Sequence, residues 1–492
     1  MLLSAALLLV RLISAAIVDQ PGYTDAYYYH DVARRLAAGQ GLTADFVWSP
    51  LEAGPGATLP VASHRFWMPL VTVLQALGIV AFPFLDSFRA AQVPILAVAA
   101  AIPLVGYAAA RSLGAAERGA LVSAALAGLG GAFAPGWVSL DVFAPAAVIG
   151  TSFFLVYGRA ARGDVRAGLL AGLLVGLLFL ARGEGALFGV ALLALVWHPD
   201  GRRAGLAASA VALAIGLAWL GRDLALGVPP GMFARTALLL RYEDFFAVAT
   251  PSGAAVLADL PQFLGAKIAA LGTNLGTLLI GFFVLLLPPM AMAIRARAGR
   301  RDVRAFAGLL VLVYLAESLI WTLHSTRGSY FHSLAAFFPY GVALGVVGIG
   351  ALLERRSWRR WPIAAVTVAG VAAALIVSAI AVGQWDATFN ATYRSRVAAL
   401  ERIPPGPFLA VDAAAWRWIS GRSVVVTPAD GLGAICSLPA AEARSIVLEA
   451  THFTAYDDLY RGSAVLPGAS VSPAGASIRV YSLPPAARGC VP

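Results

Sequence analysis

Long apolar runs separated by short polar gaps fill the chain from its first residue to about residue 384. A bilayer's hydrocarbon core is about 30 Å thick and takes about 20 apolar residues of helix to cross. Eleven stretches approach that length: Met1–Val18, Ala90–Ala110, Gly119–Ala134, Val142–Gly158, Gly168–Ala181, Gly185–Trp197, Ala204–Leu220, Leu271–Ile294, Ala305–Leu323, Ser333–Leu353 and Pro362–Gln384. Met1–Val18 reads as the first span rather than a cleavable leader, because it runs into Asp19 without a small-x-small site.

Two segments decide the topology. Phe66–Phe84 is apolar but carries Pro69 and Pro83 and follows a polar stretch, so it reads as an interfacial helix. Gly168–Trp197 is long enough for one helix or for a hairpin broken at Arg182-Gly183-Glu184. With the first interfacial and the second a hairpin, five short loops fall on one side and hold 16 Arg in 42 residues. The other side then holds 10 Lys or Arg in 140 residues. Basic loops stay cytoplasmic, so the pattern predicts the amino terminus inside and the carboxyl end outside. Two outside loops are long, Asp19–Arg89 and Gly221–Ala270. The first contains Asp25–Ala38, where Ala26, Tyr29, Ala33, Leu36 and Ala37 give an apolar face to a helix lying along the membrane.

Beyond Gln384 the pattern changes. Short β-rich runs at Phe408–Asp412, Ser423–Thr427, Ser445–Leu448 and Ser477–Leu483 alternate with helical stretches at Ala413–Ile419 and Ala440–Arg444. The expected architecture is an all-α polytopic membrane domain over 1–384, with about eleven transmembrane helices and interfacial helices in the first outside loop. A small extracytoplasmic α/β domain follows over 385–492.

Composition agrees with a lipid environment. Hydrophobic residues are 60% of the 492 and charged residues 13%, with a mean hydropathy of +0.79. Soluble domains carry about 25% charged residues, so a soluble enzyme or nucleic-acid-binding domain is excluded. The net charge of +10 is carried almost wholly by Arg, with Lys267 the only Lys. Its clusters sit in the short loops, where they serve topology and contacts to membrane lipids rather than nucleic acid. Cys436 and Cys490 are the only cysteines. Both lie in the extracytoplasmic domain, where a disulfide is compatible with the compartment, and neither can serve a metal centre in the membrane.

The outside face gathers the scarce polar side chains. Its first loop offers Asp25, Tyr27, Tyr28, His30, Asp31, His64 and Arg65; helix ends add Asp141, Arg182, Glu184, His324, Arg327, Tyr330 and His332. Ionisable groups at membrane depth are costly and are by default functional. Each also has a plain structural role: Asp25 as a helix cap, the tyrosines as interfacial anchors, Arg182 and Glu184 as a pair at the hairpin tip, and Asp141 as a solvated helix end. His324 and His332 lack ligand spacing, and His452, Asp457 and Asp458 read as a solvated helix start. No nucleotide-binding or hydrolase-nucleophile motif occurs.

Five short motifs on that face, in order, resemble the GT-C superfamily of membrane glycosyltransferases. They are Gly22-Tyr23-Thr24-Asp25-Ala26-Tyr27-Tyr28, the helix and turn Ala33-Arg34-Arg35-Leu36-Ala37-Ala38-Gly39-Gln40-Gly41-Leu42, and His64-Arg65-Phe66-Trp67-Met68-Pro69-Leu70. The hairpin Leu180-Ala181-Arg182-Gly183-Glu184-Gly185 and Arg327-Gly328-Ser329-Tyr330 before Pro339 complete the set. Two departures stand out. Ala26 follows Asp25 where protein mannosyltransferases and aminoarabinose transferases often have Glu, and the hairpin lacks their Pro.

The resemblance implies transfer of a sugar from a polyprenyl-phosphate donor to a glycan, lipid or protein acceptor, with inversion, outside the plasma membrane. Asp25 is then the expected base or, with Asp141, a ligand of a divalent metal (Mg, Mn or Zn). Arg327, Arg182 and Arg65 are expected at the donor phosphate. Tyr28, His64, Trp67, Glu184, His324 and Tyr330 are expected along the substrate groove. A lipid flippase or transporter, or a non-catalytic lipid-binding relative, is the alternative; no internal repeat of the kind transporters carry is visible.

Overall fold

The computed structural model describes residues 2–53, 58–227, 236–249, 252–355, 360–438, 443–474 and 477–483. Helices dominate up to residue 402 and follow the apolar runs closely. Five are long and apolar enough to cross a membrane among the described residues, or six if a bent pair counts as one. Five shorter apolar helices of 10–17 residues accompany them. Their outer surfaces leave Leu213, Leu217, Ile268 and Val368 exposed, as lipid-facing positions require.

The hairpin is present. Val165–Ala181 ends at Arg182, and a turn leads into Gly189–Val196. Leu70–Ala81 has only 12 residues, too few to span, and packs against the helix Thr24–Ala37. Arg11, inside the first helix, donates to the Gly128 carbonyl at 3.0 Å, which satisfies a charge at membrane depth.

Two expected spans are broken. Leu271–Ile294 is not one helix: Leu260–Gly281 stops, the chain turns through Phe283 and Val284 at φ 56° and 51°, and Leu287–Ala296 begins anew. Pro288 and Pro289 lack the N–H groups a continuing helix needs. The helix also starts at Leu260, so the last part of the expected loop Gly221–Ala270 is helical. Ala305–Leu323 breaks as well: Arg301–Leu319 and Thr322–Ala335 meet at 102°. Lys267 donates to the Thr322 hydroxyl at 3.0 Å and the Ile320 carbonyl at 3.4 Å, compensating backbone freed by the break.

The last apolar helix does not end at the membrane. It continues as helix over Ala364–Arg402, with a π turn at Asp386–Asn390 and a 3₁₀ end at Leu400–Arg402, and leads into a six-stranded sheet of order β2-β5-β4-β6-β8-β7. β1, Thr43–Ala44, and β3, Val61–Ala62, form a separate antiparallel pair; in the larger sheet β2 is Phe46–Val47, β4 Phe408–Ala410, β5 Val424–Val426, β6 Ser445–Glu449, β7 Ser470–Pro473 and β8 Ile478–Ser482. β2, β5, β4 and β6 are parallel neighbours, with Phe46 opposite Val424 and Leu409 opposite both Val425 and Ile446. β8 and β7 complete the sheet antiparallel. The fully apolar β4 and β5 suit strands covered on both faces. β2 comes from the first long loop, a strand the sequence pattern missed, as it missed β7. The Cys436–Cys490 pairing and part of Ala440–Arg444 lie outside the described residues.

Small residues allow the membrane helices to approach. A side chain at Gly172 would place its Cβ 2.2 Å from the Ala208 carbonyl oxygen, and one at Gly168 would sit 2.4 Å from that of Ala204. Gly172→Leu should therefore destabilise the protein by about 1–3 kcal/mol, seen as a lower thermal midpoint in detergent. An unchanged midpoint would mean that Val165–Ala181 and Arg202–Ala225 are not in contact there.

Candidate active site

A cavity of about 1100 Å³ lies between the helical body and the sheet domain. Its floor is the start of Thr24–Ala37, the hairpin tip at Arg182 and the segment Arg327–His332. Its outer wall is a strap at 241–246, the long helix from Trp385 to Arg396, and the sheet domain at Asp412 and Thr451–Thr454.

Asp25 stands in the first turn of its helix and does not cap it; the cap position is Tyr23, without a side-chain cap bond. Gly22, at φ 97°, brings the chain in against Trp385, where an added Cβ would lie 2.5 Å from the indole. Asp141 is fully buried rather than a solvated helix end. Its Oδ2 accepts from the Tyr23 hydroxyl at 2.5 Å and lies 2.8 Å from His332 Nε2, and its Oδ1 accepts from the Val142 amide at 2.6 Å. The other nitrogen of His332 lies 2.8 Å from the Gly328 carbonyl, in a turn that Gly328 makes possible with φ 117°. Donor atoms of Asp25, Asp141 and His332 lie within 4.8 Å of one another.

The two carboxyls differ. Burial, followed by the charge of Asp141, pushes Asp25 up to about 6, against His332 and Arg182. Burial works the same way on Asp141, but His332 and the hydrogen bonds from Tyr23 and Val142 hold it below the usual carboxylate range. One group is thus a settled anion and the other has the basicity of a proton acceptor. Two oxygens and an imidazole also suit a divalent ion, with Gly328 and Tyr23 orienting the ligands from behind.

Arg182 donates to the Ser329 hydroxyl at 2.6 Å and to Glu184 at 3.2 Å, and Ser329 donates to Glu184 at 2.8 Å. The pairing expected at the hairpin tip is real, and it holds a guanidinium at the cavity floor. Arg327 lies over the Tyr242 ring at 4.3 Å. Trp67 lines the cavity and stacks on Trp48 at 4.2 Å. His324 also lines it, stacked on Phe66 at 5.2 Å.

Five expected site residues are not on the cavity wall; one is Asp141, buried behind Tyr23 and His332. Tyr28 is buried behind it, donating to Glu52 at 2.5 Å and accepting from the His64 amide at 2.5 Å. His64 turns Nδ1 to the Trp67 carbonyl at 3.1 Å. Arg65 ties the carbonyls of Glu52 and Leu226 together at 2.9 and 3.3 Å. These three fold the first loop. Tyr330 is buried against Tyr314. Nor do Tyr27, Tyr28 and Tyr29 anchor an interface, since all three are buried.

Conversely, Tyr23, Ser329, Tyr242, Trp385, Arg396 and Asp412 line the cavity without having been singled out as its residues, and so does His332, which was named on that face but set aside as lacking ligand spacing. Ser329 and His332 are three apart on one helical face, a spacing that would have preferred them to Tyr330. Asp412 and Arg396 come from the far end of the chain. Arg396 pairs with Asp412 at 2.9 Å and Glu449 at 2.8 Å, and Thr24, beside Asp25, donates to Asp412 at 3.1 Å.

The fold is similar to that of solved GT-C glycosyltransferases. ArnT from Cupriavidus metallidurans in the apo state superposes with a TM-score of 0.59 at 14% identity, covering 98% of this chain and 97% of that one. Its complex with undecaprenyl phosphate gives 0.58, with the same identity and coverage. The archaeal oligosaccharyltransferase AglB from Archaeoglobus fulgidus, in complex with an inhibitory peptide and a dolichol-phosphate, gives 0.52 at 14% identity over 90% of this chain and 69% of that one. A complex of the Archaeoglobus fulgidus oligosaccharyltransferase with Zn and sulfate gives 0.54 at 11% identity, over 89% of this chain and 68% of that one. No family model and no curated protein matches the chain. The likeness is one of fold, and the fold is that of a multi-pass membrane protein.

Tyr23→Phe removes only the hydrogen bond onto Asp141. It should lower affinity for Mn²⁺ or Zn²⁺ about tenfold, measured by equilibrium dialysis with metal analysis. Equal affinity in both proteins would mean that no bound ion rests on Asp141.

Proposed function

We propose that this chain is an integral-membrane glycosyltransferase of the plasma membrane. It moves a sugar from a polyprenyl-phosphate donor to an acceptor hydroxyl on the extracytoplasmic side, with inversion. Residues 1–384 form the catalytic body, and 385–492 form a domain that closes the cavity and guides the acceptor. The observation that carries the reading is the convergence of Asp25, His332 and Arg182 on one cavity, with Asp141 buried within 4.8 Å of Asp25 and His332. The fold shared with ArnT and AglB, solved with undecaprenyl phosphate and with dolichol-phosphate, supports it.

In this reading the acceptor oxygen attacks the anomeric carbon from the face opposite the phosphate. The carbon–oxygen bond to phosphate breaks, and polyprenyl phosphate leaves with the bonding pair. The acceptor's proton passes to Asp25, whose raised basicity suits it to that task. Arg182, braced by Glu184 and Ser329, stands at the floor to balance the charge growing on phosphate. Were a divalent ion held by Asp25, Asp141 and His332 instead, Asp25 would be its ligand rather than the base, and the ion would supply positive charge to the leaving group. The donor's tail reaches the site from within the bilayer.

The test is turnover in nanodiscs with a panel of polyprenyl-phosphate monosaccharides, following freed polyprenyl phosphate by mass spectrometry. Asp25→Asn should reduce release about 100-fold or more. Equal release by both proteins would remove Asp25 from the chemistry. Lipid binding without release from any donor, in the presence of glycan, lipid and peptide acceptors, would favour a lipid-binding relative.

A further inference from the structure

The cavity wall carries charges that the transfer reaction does not account for. Nearly every ionic group on it has a counter-charge or a full set of hydrogen bonds. Arg182 has Glu184 at 3.2 Å, Asp141 has His332 at 2.8 Å, Arg396 has Asp412 and Glu449 at 2.9 and 2.8 Å, and His452 has Asp457 at 3.0 Å. Asp25 remains for the reacting hydroxyl. Arg241 and Arg327 are both exposed to the cavity, and neither has an ion-pair partner among the described residues.

Tyr242 connects them. Arg327 rests on the ring of Tyr242, at 4.3 Å, and Tyr242 follows Arg241 in the strap. The strap's two acids, which could neutralise Arg241, are engaged elsewhere. Asp244 accepts from the Leu240 and Arg241 amides at 2.9 and 2.8 Å. Glu243 accepts from the Thr454 amide and hydroxyl at 2.7 and 2.6 Å. The strap is also fixed at its far end, where the Val248 and Ala249 amides donate to Asp430 at 2.9 and 2.8 Å. Two guanidiniums with no ion-pair partner among the described residues therefore line one cavity, Arg327 on the Tyr242 ring and Arg241 next to Tyr242 in the chain.

We infer that Arg241 and Arg327, with Tyr242, form a subsite for a second anionic group, a phosphate or carboxylate additional to the donor phosphate at Arg182. The inference rests on the glycosyl-transfer reading and adds a charge requirement to its substrates. Arg327 and Arg182 line the same cavity, so both anions would be held within it. Asp25, the expected base, lines the same cavity as Arg241, Tyr242 and Arg327. Guanidinium forks match phosphate and carboxylate oxygens in pairs. The second anion comes either from the donor, as a diphosphate, or from an acidic acceptor.

Binding to the full chain in nanodiscs separates the two sources. Undecaprenyl phosphate and undecaprenyl diphosphate are titrated into wild type, Arg241→Gln and Arg241→Lys. Inorganic phosphate is then titrated into protein saturated with undecaprenyl phosphate and followed by ³¹P line broadening. If the donor supplies the anion, wild type binds the diphosphate about tenfold more tightly than the monophosphate, Arg241→Gln loses the preference and Arg241→Lys keeps part of it. If the acceptor supplies it, there is no such preference, but inorganic phosphate binds to wild type and not to Arg241→Gln. Equal lipid affinities together with phosphate binding that is absent or insensitive to Arg241 would overturn the subsite. Failure of wild type to bind either lipid would instead remove the function proposed above.

Discussion

Two carboxylates buried within a few ångströms of each other repel unless positive charge stands between them. Asp25 and Asp141 are in that position, and the architecture around them can be read as the means of bringing a cation to the gap. His332 reaches Asp141 because the span Arg301–Leu319 breaks and its continuation turns by 102°. The break is tolerable because Lys267 answers the freed Ile320 carbonyl. Gly328 gives the turn its conformation, and Gly22 lets the opposite wall come close enough for Tyr23 to bond Asp141. Remove the charge at His332 and the pair loses the asymmetry that leaves one carboxyl anionic and the other basic.

The same economy governs the rest of the cavity. Polar side chains cannot be scattered through a bilayer without partners, so they occur in closed groups. Arg182 is held by Ser329 and Glu184, and Arg396 by Asp412 and Glu449. Behind the wall, Tyr28, Glu52, His64 and Arg65 form another group that folds the first loop. In such a molecule an unanswered charge is more informative than a paired one.

The sequence made the membrane body legible because lipid leaves little choice: apolar length and the sidedness of Arg are imposed by the solvent. The hairpin at Arg182 followed from the same logic, and Asp25, Asp141, Arg182, Glu184, Trp67, His324 and Arg327 were in reach because they lie beside spans on one face. What stayed hidden depends on contacts between distant segments. An apolar run conceals its own break, since Phe283 and Val284 are as lipophilic as their neighbours; only Pro288 and Pro289 marked it. Tyr28 and Arg65 had the right chemistry at the right depth, but the loop that carries them turns them to Glu52. β2 is two residues long in an aperiodic loop and acquires its identity from Val424 and Val425, almost 380 residues further on.

The long helix Ala364–Arg402 constrains how such a protein can change over time. Each residue of an α-helix turns the chain by about 100° and advances it about 1.5 Å. One residue added to its α-helical part before Arg396 would swing the whole sheet domain a quarter-turn around the helix axis. Arg396 would leave Asp412, and β2 would leave the edge of β5. The domain is thus coupled to the membrane body in phase as well as in position. A change of length in the α-helical part of that helix shifts the phase, whereas the π turn at Asp386–Asn390 is where the helix can take up a single residue. Exchange of the domain between relatives must carry the helix and the first loop with it.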